Sequence, residues 1–155
     1  GHVPLNQVRT QIQGIKRLTN NAPLYVLGPL CCDSAPGYDH IAGAIGGAMG
    51  VEAGVDFLCY LTPAEHLTLP DEADVRAGVM ASRVAAHVGE VALGRPAAVA
   101  REAAMNAARK ALDWEAMHKA ALDPQMLEKR REDHKTEEVC AMCGKFCSVK
   151  MLRGH

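Results

Sequence analysis

The chain has 155 residues, 48% hydrophobic but only 4% aromatic, with a formal net charge of −1. That is enough apolar material for a domain with a real core. A balanced charge excludes the broad basic field that draws nucleic acid or an anionic membrane.

In chain order, Leu5, Val8, Ile12, Ile15 and Leu18 recur at helical spacing and predict a helix over 4–19. NNAP (20–23) ends it, and LYVLG (24–28) reads as a short buried strand. After the loop PLCCDSAPGYD comes a small-residue helix over 40–54, then a strand over 55–61. The loop TPAEHLTLP leads into an Ala-rich helix from Asp71 to about Leu93, with Asp71 and Glu72 suited to its N-terminus. Strands alternating with helices imply parallel pairing, in a doubly wound sheet or a (β/α)8 barrel. Such folds gather their chemistry in loops at the carboxyl ends of strands. Asp33, Tyr38, Asp39 and His40 follow the first strand, and Glu65 and His66 follow the second. GRPAA then marks a boundary, and residues 97–135 read as two or three helices around LDP (122–124). The mixed run KRRED (129–133) reads as a solvated helix face.

No signal peptide precedes the first element and no apolar run approaches a membrane span, so a reducing cytoplasm is the simplest setting. Six cysteines there favour metal or redox chemistry over disulfides. Cys31, Cys32 and Cys59 lie in or beside strands, where core packing is the default. GAIGGAMG (43–50) lies within a helix and misses the dinucleotide spacing, so its small residues are expected to permit close packing on the sheet.

His2 stands where a strand-end loop would be if a strand preceded it. That strand and the 55–61 strand would have one neighbour between them, putting their ends roughly 10 Å apart. Two imidazoles could then meet on one metal, although a loop histidine more often serves only as a hydrogen-bonding group. Cys140, Cys143 and Cys147 form a C-x2-C-x3-C group, a more specific signal. Its spacing fits either a zinc site completed by His134 or His155, or an iron–sulfur cluster with one iron left open.

PLYVLGPL, D-x-APGYDHI, GAIGGA, FLCYLTPAEHLTLP and CAMCGKFCSVKM, in that order over nearly the whole chain, resemble the phosphomethylpyrimidine synthase (ThiC) family. The resemblance implies a radical S-adenosylmethionine (SAM) enzyme of thiamine synthesis, a carbon–carbon lyase in class. Its reaction converts 5-aminoimidazole ribotide to 4-amino-5-hydroxymethyl-2-methylpyrimidine phosphate. The start at Gly1, on GHVP and without a Met, matches a segment well inside family members. The chain is therefore expected to be a C-terminal portion, inactive as an isolated fragment. Residues 1–94 would be the end of a (β/α)8 catalytic barrel, 95–135 a helical spacer and 136–155 an iron–sulfur arm.

Carried over by position, His2 and His66 match the family's two ligands of a divalent metal such as zinc. Tyr25 matches a substrate-contacting tyrosine. Cys140, Cys143 and Cys147 match the ligands of a [4Fe–4S] cluster that binds SAM on its open iron. The implied partners are an external electron donor and a second copy of the chain, in a homodimer that exchanges its C-terminal arms. No nucleic acid or membrane partner is implied. The x3 gap before Cys147 departs from the x4 gap of better-known bacterial members. It resembles compact members of anaerobes and archaea, and also the paralogue 5-hydroxybenzimidazole synthase, which uses the same substrate. The pyrimidine product is preferred over the benzimidazole. LCCD (30–33), in place of L-x-T-D, is a second departure. A reading from another class is a zinc-binding helical module for protein interaction.

Overall fold

The computed structural model describes residues 1–153. They fall into two compact units, Gly1–Arg95 and the chain from Pro96 onward. In the first unit, α1 (Leu5–Leu18) leads to β1 (Tyr25–Leu27), α2 (Asp39–Ala53), β2 (Phe57–Cys59) and α3 (Glu72–Ala92). The two strands pair in parallel with Tyr25 opposite Phe57, Val26 opposite Leu58 and Leu27 opposite Cys59. An α/β succession with a small parallel sheet is thus present.

The strands are shorter than the apolar runs that contain them, because a parallel ladder exists only where both neighbours stay extended. They are also less buried than expected. Val26 and Leu58 pack toward Val8, Ile12, Ala53 and Val55, whereas Tyr25, Leu27 and Phe57 on the alternate face are exposed. Nothing in this unit covers that second face, and period-2 alternation puts all three side chains on it. Helix α1 is likewise buried only at Val8 and Ile12, while Leu18 is 90% exposed.

Close approach explains the small residues of α2. A Cβ on Gly46 would lie 1.9 Å from the Pro29 carbonyl oxygen, and one on Gly43 would lie 2.7 Å from Leu61 Cδ1. The helix therefore lies directly on the chain that leaves β1, as its sequence leads one to expect. Helix α3 starts with a reciprocal cap. The Asp74 N–H donates to Asp71 at 2.8 Å, and the Asp71 N–H donates to Asp74 at 3.1 Å.

The second unit holds α4 (Pro96–Ala111), α5 (Trp114–Ala120) and α6 (Pro124–Arg131), then 3-10 turns at Glu132–His134 and Gly144–Phe146, and α7 (Ser148–Arg153). Asp113 and Asp123 cap α5 and α6 through their carboxylates, and Pro124 opens α6. In the run 129–133 Lys129, Arg130, Glu132 and Asp133 are exposed, and Arg131 is the exception. Its guanidinium stacks 3.5 Å from the centre of the Trp114 ring and donates to the His134 and Glu137 carbonyls. No helix of the described residues is long and apolar enough to cross a membrane.

Candidate metal and cluster sites

Backbone pairing brings His2 to its place. The Val3 N–H donates to the Leu30 carbonyl and the Leu30 N–H donates to the Gly1 carbonyl, each at 3.0 Å, forming a parallel bridge between His2 and Leu30. Leu30 continues from β1, and β1 pairs with β2. His2 and the loop after β2 therefore share the carboxyl edge of the sheet. In that loop Leu67 N–H donates to the Ala64 carbonyl at 2.9 Å, and His66 between them takes φ +61°, a conformation unusual for a residue with a Cβ. The two imidazole rings end 5.5 Å apart between centres, inclined at 45°.

Each ring bonds a carboxylate through Nδ1. His2 meets Asp33 at 2.6 Å, and His66 meets Asp39 at 2.8 Å. Asp39, the first residue of α2, has a side chain only 8% exposed, against 70% for Asp33. These four residues, with Leu30 and Glu65, line a cavity of about 250 Å³. An ionised carboxylate only accepts, so in the neutral imidazole Nδ1 carries the proton and Nε2 keeps its lone pair. That is the tautomer a metal-binding imidazole needs, and the donor chemistry suits a divalent ion such as zinc.

Tyr25 opens β1, five positions before Leu30, and is not among the residues lining that cavity. A hydrogen bond with the Cys59 thiol raises its phenol above the usual range, so the hydroxyl stays protonated at neutral pH. Cys59, opposite Leu27 in the ladder, is half-buried. Cys31 is half-buried with its thiol on the Ala42 carbonyl, whereas Cys32 is exposed, against the expectation of core packing. It lies in the loop beyond the sheet, its thiol 3.4 Å from the Ser34 hydroxyl.

The three C-terminal cysteines sit on a turn. Gly144 takes φ +48° and opens the 3-10 turn, its N–H donating to the Cys140 carbonyl at 3.2 Å. The Cys143 N–H, and then that of Met142, hold the Cys140 thiol below the usual cysteine range. The Cys140 charge raises Cys143, and the Cys147 charge adds to the effect, so the three sulfurs share one electrostatic neighbourhood. Cys147 is buried and Cys143 exposed. This all-sulfur donor set suits iron–sulfur ligation.

Among the described residues, no three His, Cys, Asp or Glu side chains are grouped to hold a metal ion by themselves. His134 instead has Nδ1 on Glu137 at 2.9 Å. The other candidate for a fourth ligand, His155, lies outside the described residues. The cysteine turn is fastened on both sides, since the Trp114 indole N–H donates to the Glu138 carbonyl at 2.8 Å and Lys150 bonds the Glu138 carboxylate.

A family model described as the radical SAM ThiC family matches residues 1–154. The chain belongs to that family. Among relatives of the radical SAM ThiC chain is "Phosphomethylpyrimidine synthase 2" of Syntrophotalea carbinolica, 53% identical, with 98% of this chain and 36% of the relative covered. "Phosphomethylpyrimidine synthase" of Dehalococcoides mccartyi is also 53% identical, with 100% of this chain and 36% of the relative covered. The Geobacter metallireducens protein of the same name is 52% identical, with 98% and 35% covered. The chain thus spans about a third of the length of these relatives.

Sequence reading placed Asp33 and Asp39 at a strand end without a role. The signal that finds them is a carboxylate in each loop that faces a histidine. Cys59 had no such signal, because its pairing with Tyr25 depends on strand register.

Proposed function

We propose that the full-length protein carrying this chain is a radical SAM enzyme of thiamine biosynthesis, converting 5-aminoimidazole ribotide to 4-amino-5-hydroxymethyl-2-methylpyrimidine phosphate. The observation that supports this most is the three-thiol turn around Gly144 in a chain of the radical SAM ThiC family. A [4Fe–4S] cluster bound there and reduced would supply the electron that splits a carbon–sulfur bond of SAM, furnishing a 5′-deoxyadenosyl radical. Cys140, Cys143 and Cys147 would each hold one iron. The N–H groups on Cys140 favour its thiolate, and burial of Cys147 keeps water from one side.

A cluster takes each thiolate on a different iron, so the sulfurs need not converge on one point as they must for zinc. That speaks for the cluster over a zinc interaction module. His2 and His66 would hold a divalent ion, which supplies fixed positive charge for a substrate oxygen or nitrogen. Tyr25 would offer its retained proton to the substrate. In the full-length protein this sheet would belong to a (β/α)8 barrel whose interior takes the exposed Tyr25, Leu27 and Phe57. The cysteine arm would serve the active site of a partner protomer, with an external donor reducing the cluster.

The relatives' names favour the pyrimidine product over 5-hydroxybenzimidazole. Complementation decides between them. The full-length gene should restore growth of a strain that cannot make the thiamine pyrimidine. Accumulation of a benzimidazole without rescue would overturn the assignment.

A further inference from the structure

We infer that Asp39 is a positioning residue for the histidine pair, fixing the proton and ring direction of His66, with Asp33 a weaker counterpart for His2. This rests on the reading of both histidines as ligands of one divalent ion. Asp39 is 5% exposed, yet its carboxylate meets His66 Nδ1 at 2.8 Å. Burying a carboxylate is costly unless it is paired, so this contact is held rather than sampled. The first turn of α2 favours its negative charge. His66 itself sits in a constrained turn at φ +61°. A fixed backbone and a buried acceptor together leave the ring little freedom. Asp33 makes the same contact at 2.6 Å from an exposed position, where water competes with it.

Replacing Asp39 by Asn changes the volume little but alters the proton's place. The side-chain amide can present an N–H to Nδ1, which moves the ring proton to Nε2 and blocks the ligating lone pair. A carboxylate that served only α2 would lose helix stability on this change, without a separate effect on metal.

The test uses the full-length protein, stripped of divalent metal and titrated with Zn²⁺ against a chromophoric chelator. Co²⁺ absorption reports the ligand field, and melting of the metal-free protein reports folding. Asp39→Asn should weaken Zn²⁺ binding about 10–100-fold and alter the Co²⁺ spectrum, beyond any small loss in metal-free melting. Asp33→Asn should weaken it less. Parental Zn²⁺ affinity in Asp39→Asn, with the metal lost in His66→Ala, would overturn the positioning role and leave the histidine pair standing. Metal retained in His66→Ala would overturn both. A loss in Asp39→Asn that only tracked reduced metal-free stability would assign Asp39 to the helix instead.

Discussion

Gly46 shows how much one missing atom can decide. Its absent Cβ lets α2 rest on the Pro29 carbonyl, and a methyl there would lie 1.9 Å from that oxygen. The obstacle is backbone, so no side-chain rotation relieves it. Gly46→Ala should lower stability by at least the roughly 1–3 kcal/mol of an overpacked core. Gly14 gives the control: it lies in α1 with nothing within 4 Å of an added Cβ. Gly14→Ala should stabilise by about 0.5–1 kcal/mol, through backbone entropy alone. Urea unfolding of the two variants in the full-length protein makes the comparison, and similar effects would refute the close approach. The small residues of α2 were legible as packing residues because they lie inside a helix. The tight turn at His66 was not, since nothing in TPAEHLTLP marks which residue adopts positive φ.

Among the elements, Asp56 ties three together. It lies just before β2, accepts from Lys16 of α1 at 2.8 Å and from the Leu24 N–H ahead of β1 at 2.7 Å. The Lys16 hydrogen bond, followed by that of Leu24, holds the Asp56 carboxyl below the usual range. Its folded pKa is therefore below its unfolded one. The stabilisation is fully present above the unfolded value of about 3.9 and is lost as pH falls through the lower folded value. The stability gap between the parent protein and Asp56→Asn should be constant near neutrality and close on acidification. Urea melts across that acidic range measure it, and a gap that stayed open at the acid end would rule this linkage out. None of it could be read from the sequence, because Lys16 and Asp56 are forty residues apart. Helices fared better. Apolar spacing located α1, and Asp71 marked the start of α3. The strand runs 24–28 and 55–61 kept only three paired residues each, because pairing depends on the neighbour as much as on the run itself.

At the scale of the whole chain, the described residues form two compact units divided at Arg95 and Pro96, within the GRPAA stretch (94–98). The dividing signals are local: Gly94 at φ +66°, then a proline opening α4. Each unit carries its own proposed donor set, nitrogen in the first and sulfur in the second. His66 is held by Asp39 within the first unit, and Cys140 by N–H groups of its own turn. No residue is common to the two sets, so the two kinds of metal should be separable by substitution. In the full-length protein, Cys143→Ala should abolish the brown colour and the reduced-state electron paramagnetic resonance signal while leaving about one divalent ion per chain. His66→Ala should remove that ion and keep the signal, including its change on adding SAM. His134→Ala should leave both intact, because a cluster held by three cysteines gives that imidazole no ligand role. Metal analysis and spectra of anaerobically reconstituted protein give the result. A colourless protein that binds one zinc, released on removing His134, would eliminate the cluster reading. Loss of both metals in either single variant would show instead that the two sites are coupled.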